Sequence, residues 1–536
     1  MAALGTLRDG TLPDTSAVAE GAAFGLYPAS DFRLADGRCQ DCPTIRQALW
    51  YFQRETIAVA KPGRSVASFS PGVATADDLR EWLALRDPAA PPEYPPLVWV
   101  AAPHVVSGAW LSANATSLDS PDGPLHATLT PKLALNRSYF DATSAEFLSR
   151  RTLKVRGTIE GNSIVMRTLW PEDFRLDRAP PVQQLATGKD APLALRGLVR
   201  AEPAGGALSP FATSTLWQRD QRSDAVPPGR SVLALMINGA QGDDDEAHAG
   251  HFALVTGRTR EDGAIGDWLV NNFYALDSES EKGILAAPVP LDNYLADLNS
   301  GQNWYRPSQL LVLVLADDRA AALVQAALNR VYNQFWRHQL VYRHATMNCA
   351  GISVDVLRSM GWPIPKRSPA SRIVAALGLP YFAARERSLS KACIAFDYLN
   401  EDQTRLMPAA AFEECGAAAL ELVRSGAAQG SGLLARMLAE DVEAIAFVRL
   451  PQFPSSRAVG DAPVVTPWEF QSRMPSDPLL KQVIPVPPRP FPEKFRDPDL
   501  IDGKRHGSHY ATAIWGAVLV TGLVSVLFTI LKQWSS

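Results

Sequence analysis

Hydrophobic positions along this chain change period several times, and those changes mark its organisation. Ser231-Val232-Leu233-Ala234-Leu235-Met236-Ile237 is a nearly continuous apolar run closed by Asn238-Gly239, which predicts a buried central strand followed by a turn. Phe252 to Thr256, opened by His251, predicts a second strand, Asp267 to Tyr274 a third and Gln309 to Ala316 a fourth. Between the third and fourth, Leu291 to Leu298 has the spacing of a short helix. From Ala320 to Trp336 the period becomes helical, with Ala321, Leu323, Val324, Ala327, Leu328, Val331 and Phe335 on one broad face. Ile352, Val356 and Met360 line a helix that starts near Cys349 and that Gly361 and Pro363 end. Antiparallel strands covered by helices make 230–365 an α+β module.

Around this module the pattern differs. In an N-terminal extension, 1–96, Thr44 to Ala60 predicts an amphipathic helix through Ile45, Leu49, Phe52 and Ile57, stopped by Pro62-Gly63. Over 97–176 short apolar runs alternate with turn chemistry. Leu97 to Val100, the turn Ser120-Pro121-Asp122-Gly123, and a hairpin from Thr152 to Leu169 turning at Glu160-Gly161-Asn162 predict a small β-rich domain. Proline and glycine pairs make 177–229 a linker, and 366–450 reads as a helical region ending in a strand from Ala444 to Leu450. Pro485, Pro487, Pro488, Pro490 and Pro492 make 451–509 an extended tether. Ala511 to Leu531 then runs without an ionisable residue, enough at about 1.5 Å per residue to cross a hydrocarbon core of about 30 Å. A single C-terminal transmembrane helix over 510–532 is expected, with the bilayer as partner.

Composition narrows the function classes. The chain has 536 residues, 46% hydrophobic and 20% charged, so it is expected to fold into two or three packed units rather than remain disordered. A net charge of -4 and the lack of a basic run exclude nucleic acid as the expected partner. Lys504 and Arg505 precede the apolar run and Lys532 follows it, a positive-inside bias that places the bulk of the chain in the cytoplasm. Five cysteines are too few for a disulfide scaffold, and a mostly reduced chain is the simplest reading. Cys39-Gln40-Asp41-Cys42 lacks the four ligands of structural zinc; a structural pair, a local disulfide, and redox or metal use all remain open. Cys393 and Cys415 read as small buried hydrophobes, and His104 and His126 as surface or hydrogen-bonded histidines.

The remaining cysteine carries the candidate chemistry. An unperturbed thiol, with a pKa of about 8.5, is only a few per cent thiolate at neutral pH; a helix N-terminus and a neighbouring imidazolium lower that pKa. Cys349 opens a predicted helix, and Gly351 leaves room for a close approach. The Cys349 amide and Asn348 are candidate oxyanion donors, Asn348 alternatively an orienting group. His251 is the candidate base because it opens a strand that fixes its backbone; His248 and His344 are secondary candidates, and His338 also lies close to the cysteine in sequence. Asn271 or Asn272, on the following strand, is placed to orient the imidazole if the two strands pair. The chemistry calls for no cofactor and no metal.

Asn348-Cys349-Ala350-Gly351-Ile352-Ser353-Val354 resembles the cysteine helix of NlpC-type papain-like hydrolases, whose motif is an Asp-Cys-Ser-Gly-Phe-Val kind of sequence. The histidine-first order resembles the circularly permuted branch, which includes the lecithin:retinol acyltransferase-like proteins. The stretch from about 231 to 363 is also similar to the periplasmic domain of Lnb-type lipoprotein N-acyltransferases, where a Gly-His strand and an Asn-Cys helix occur. The resemblance implies a papain-like antiparallel sheet, Cys349 as nucleophile and His251 as base. It leads to the expectation of a membrane-tethered thiol acyltransferase or hydrolase, acting through an acyl-thioester on a lipid or acylated substrate. An amidase or peptidase on a membrane-associated substrate is the alternative within the same chemistry, and a non-catalytic tail-anchored scaffold the alternative outside it.

Overall fold

The computed structural model describes residues 22–42, 46–87, 90, 92–133, 139–200, 210–220, 225–239, 250–276, 283–367, 372–455 and 492. The expected membrane helix, nearly all of the tether and His248 lie outside them. No helix among the described residues is long and apolar enough to cross a membrane. The architecture is α+β, as the alternating strand and helix periods predict.

The N-terminal part begins with a two-stranded hairpin, β1 (Ala23–Phe24) and β2 (Tyr27–Pro28), and continues through β3 (Phe32–Ala35), α1 (Arg46–Tyr51), β4 (Thr56–Ala60), α2 (Thr75–Leu85) and β5 (Val98–Ala101). Here the expected helix over Thr44–Ala60 is corrected. Its first half is the short α1, and its second half is the central strand of an antiparallel β3-β4-β5 sheet. The β-branched Thr56, Ile57 and Val59 prefer the pleated backbone, and pairing on both sides decides in favour of the strand. The extension is bound to the rest of the chain. Asp78 of α2 is fully buried and accepts from Arg330 at 2.6 Å and from Gln334 at 2.9 Å.

The β-rich segment closes into a five-stranded barrel of β6 (His104–Leu111), β7 (Ser117–Ser120), β8 (Gly123–Leu129), β9 (Leu153–Glu160) and β10 (Ser163–Pro171), with α3 (Ala142–Ser149) between β8 and β9. The predicted hairpin is present, Ser163 pairing with Glu160 across Gly161-Asn162. His104 Nδ1 accepts from the Ile159 amide at 3.2 Å, and His126 is exposed. Arg156, on the barrel, makes a bidentate bond to the buried Asp292 at 2.9–3.1 Å, so this unit is pinned to the module that follows.

After α4 (Ala191–Arg200) comes a seven-stranded antiparallel sheet. Its members are β11 (Ala212–Gln218), β12 (Ser231–Asn238), β13 (His251–Arg258), β14 (Leu269–Asn272), β15 (Ala287–Pro290), β16 (Ser308–Leu315) and β17 (Val442–Leu450), in the order β11-β17-β16-β12-β13-β14-β15. Every residue of β12 and of β16 is buried, as continuous apolar runs require; full burial contributes about 1.5–3 kcal/mol for each Val, Leu or Ile. The helices are α5 (Leu291–Ala296), α6 (Arg319–Trp336), α7 (Cys349–Ser359), α8 (Arg372–Glu386), α9 (Leu389–Asn400), α10 (Gln403–Leu406), α11 (Pro408–Ser425) and α12 (Leu433–Asp441). The register puts Leu311, Leu235, Leu254 and Asn271 in one row on one face. Gln325 of α6 bonds Asn271, and Gly416 of α11 lies against Leu311, so both helices cover that face.

Two sheet strands fall outside the predicted module. β11 comes from the expected linker, and β17 follows the helical region yet inserts between β11 and β16. β15 contains Pro288 and Pro290, which argue against a strand by sequence; it is tolerated because it forms the sheet edge.

Candidate active site

The site is assembled where β13 begins and α7 begins. Gly250, at φ +80°, delivers the chain into β13, and a Cβ there would sit 2.2 Å from the Asn238 carbonyl oxygen; only glycine fits. His251 follows it and pairs with Asn238, which pairs on its other side with Ser308, so these three residues form one polar row at the end of the central strands. Asn238 Nδ2 donates to Ser308 Oγ at 2.7 Å, and Tyr294 of α5 donates to Asn238 Oδ1 at 2.6 Å. The Tyr294 ring lies 6.4 Å from the His251 ring, centroid to centroid.

Cys349 is the first residue of α7 and is 4% exposed. Asn348 caps the helix: its Oδ1 accepts from the Gly351 amide at 3.0 Å, while its Nδ2 donates to the carbonyls of His344 at 3.0 Å and Leu406 at 2.8 Å. Both amide hydrogens are therefore committed, which leaves Asn348 no hydrogen for an oxyanion and makes it the cap that fixes the start of α7. The Ile352 amide returns to the Asn348 carbonyl. This leaves the amides of Cys349 and Ala350 as the first-turn donors that no helix carbonyl reaches. Gly351 admits backbone: a Cβ there would meet the Arg405 carbonyl oxygen at 3.3 Å. Arg405 holds this corner by pairing with Asp355 at 2.7 Å and Glu401 at 2.5 Å.

The thiol faces the backbone N–H of Phe252, one residue beyond His251, together with the Ala350 N–H and the Tyr342 hydroxyl. Burial pushes the Cys349 pKa above its ordinary value, against these three donors and the positive charge of Arg306, all of which pull it down. His251 is 7% exposed, and burial pushes its pKa down to about 3, with the Arg306 charge acting in the same direction and Asn272 opposing. The resting pair is thus a neutral thiol and a neutral imidazole. That differs from the expected thiolate and imidazolium, because desolvation outweighs the helix terminus in so closed a site. No hydrogen bond joins the two groups, and His251 Nε2 has no partner.

The two asparagines separate by strand alternation. Asn271 pairs with Leu254, three residues from His251 and so on the opposite face, where its side chain is bound to Gln325 and to the Leu254 carbonyl. It does not serve the imidazole. Asn272 is on the His251 side; its Nδ2 donates to the Leu285 carbonyl at 3.0 Å. Its Oδ1 faces the ring closely enough to favour the protonated form, short of a formed bond. Of the two secondary candidates, His344 is exposed and in edge contact with Tyr342 and His248 lies outside the described residues; His338, also close in sequence, is bound to Tyr51.

Arg306, Tyr294 and Tyr342 had no local signal. Arg306 is 3% exposed in a stretch whose polar Asn299, Ser300, Gln302 and Asn303 are all buried. That many polar residues between two apolar elements was the one available clue.

Elsewhere, a cavity of about 250 Å³ opens between the barrel and the sheet, lined by residues that include Lys154, Trp170 and Arg260; neither Cys349 nor His251 borders it. Three of its four cations are matched to carboxylates, Lys154 to Asp267 and Asp292, Arg156 to Asp292, and Arg260 to Asp262 and Asp267, while Arg175 donates to the Glu172 carbonyl. Cys39 and Cys42 form a disulfide, one of the readings left open for this pair; Cys349, Cys393 and Cys415 are free, as a mostly reduced chain requires. With Asp41 these two cysteines are the one group of metal-ligand spacing among the described residues, and the bond removes both sulfurs from it. Comparison with known proteins finds no family whose sequence model matches the chain, no matching curated protein and no matching solved structure.

Proposed function

We propose that the chain is a thiol acyltransferase or hydrolase of papain-like arrangement, with Cys349 as nucleophile and His251 as base. The observation that carries this reading is the approach of the Cys349 thiol to the Phe252 amide, one residue along the chain from His251, whose Nε2 is buried and unpartnered. Sγ attacks a substrate carbonyl, its proton passes to the imidazole, and the C–S bond forms as the oxyanion is held by first-turn amides of α7. Collapse breaks the bond to the leaving alcohol or amine, which takes the proton back and leaves an acyl-thioester. An amine, a lipid hydroxyl or water then releases the acyl group and restores the thiol. Which acceptor is used distinguishes transfer from amidase or other hydrolytic action.

A lipid or acylated substrate fits the apolar run at 511–531, which tethers the site near a bilayer. The α8–α9 hairpin supports the same reading. It exposes Leu377, Tyr381, Leu389, Ile394 and Tyr398 and carries Arg385, Arg387 and Lys391, a pairing suited to a lipid surface. The positive-inside bias favours the cytoplasm for the folded part, whereas the Cys39–Cys42 disulfide favours an oxidising compartment.

A second reading, a non-catalytic binding module, draws on the burial of both reactive groups. Intact-mass and peptide mass spectrometry after incubation with membranes separates the two. An acyl adduct on Cys349, absent in Cys349→Ala, is expected; an unmodified Cys349 in protein that retains its binding partners would leave only the second reading.

A further inference from the structure

Among the described residues, Arg306 has no counter-charge. At 3% exposure it is as buried as Arg156 and Arg330, each of which is paired with a fully buried carboxylate: Arg156 with Asp292 at 2.9 Å and Arg330 with Asp78 at 2.6 Å. Arg306 has no such carboxylate among the described residues, and its Nε and Nη1 have no hydrogen-bond partner. An uncompensated buried cation is strongly unfavourable, so its retention calls for an occupant that supplies the negative charge. Its position gives the occupant a function. Arg306 lies within electrostatic reach of Cys349, His251 and Tyr294, and its chain neighbours Pro307 and Ser308 pack against Gly239 and Asn238 in the row that ends at His251.

We propose that Arg306 is the anion-binding residue of the Cys349 site, so that the substrate carries a carboxylate or phosphoryl group beside its scissile acyl carbonyl. The proposal rests on Cys349 being the nucleophile. Guanidinium matches both anions through charge-assisted hydrogen bonds, and the unpartnered Nε and Nη1 are free to make them. His251 Nε2, also unpartnered, remains available for the thiol proton. An anionic substrate would thereby be seated by one unpaired group and activated by the other.

The test needs no knowledge of the substrate. The full-length protein is alkylated in parallel with iodoacetate and iodoacetamide, and the rate at each cysteine is read by peptide mass spectrometry. In both reactions the thiolate displaces iodide, a C–S bond replacing the C–I bond while the thiol proton passes to His251 or solvent. The two reagents differ in the carboxylate that only iodoacetate carries. Cys393, half-buried on α9, is the internal reference. The iodoacetate-to-iodoacetamide ratio is expected to be about tenfold higher at Cys349 than at Cys393, to fall to the Cys393 value in Arg306→Gln, and to be restored in part by Arg306→Lys.

Should Arg306→Gln fail to fold, wild type still decides the matter: inorganic phosphate and acetate are each expected to slow iodoacetamide at Cys349 and not at Cys393. Protection by phosphate alone assigns a phosphoryl group, and protection by acetate alone a carboxylate. Equal ratios at the two cysteines without protection by either anion would overturn the proposal, and would also be the outcome if a carboxylate of this chain already occupied Arg306. Failure of both reagents to label Cys349 in folded protein, with labelling restored on denaturation, would overturn the nucleophile reading and this inference with it.

Discussion

Replacing His251 with Gln tests the electrostatics of the site directly, because the imidazole is held neutral by burial and by Arg306. In the folded protein its pKa is about 3, against 6.5 in the absence of those effects. Between these values the unfolded chain binds a proton that the folded chain refuses. The contribution is therefore fully present above pH 6.5 and is lost as pH falls towards 3. One pH unit within that window corresponds to about 1.4 kcal/mol, so the whole shift is worth several kcal/mol, a large share of a typical stability of about 5–15 kcal/mol. The assay is urea denaturation of the full-length wild type and His251→Gln at half-unit steps from pH 7.5 to pH 4. Carboxylates common to both proteins cancel in the difference. Wild type is expected to lose stability relative to the variant with a slope approaching about 1.4 kcal/mol per unit below pH 6. A difference that stays flat from pH 6.5 to pH 4 would falsify the description of His251 as a buried neutral group, and with it the account of how the thiol proton is accepted.

Two further predictions concern the scaffold and the tether. Asp78→Ala leaves Arg330 buried without its partner and strips Gln334 of its acceptor, so a loss of about 3–5 kcal/mol is expected in chemical denaturation, with α2 the first segment to gain hydrogen exchange; a loss below about 1 kcal/mol would show that this contact does not hold the N-terminal extension. Deleting residues 505–536 removes the only long apolar run, and the shortened protein is expected in the soluble fraction after a salt wash, contact through the α8–α9 hairpin being reversible; retention in membranes would show that the C-terminal run is not the sole anchor.

The central strands, the long α6 and the cysteine helix were legible because each is a local pattern of one period. β12 and β16 are continuous apolar runs, α6 holds one face over five turns, and Asn348-Cys349 has the composition of a helix start. The sheet they belong to was only partly legible. β4 has the spacing of a helix but is claimed by pairing with β3 and β5, while β11, β15 and β17 acquire their place from partners far away in the sequence. No window of residues contains the information that Ala212–Gln218 and Val442–Leu450 lie side by side.

The candidate site divides in the same way. By itself the sequence determined a thiol at a helix start, an imidazole at a strand start, and two asparagines on the following strand, since these depend on residue type and local period. Only the tertiary structure decided which asparagine faces His251, because the choice hangs on the register Leu254 to Asn271. It alone placed Arg306 among Cys349, His251 and Tyr294, and it alone decided the charge states. Protonation depends on how much water and which charges surround a group, and those are set by residues brought together from separate elements. The same His251 would be an ordinary titrating imidazole on an exposed strand; buried beside an unpaired guanidinium it is neutral, and its proton affinity is a property of the fold.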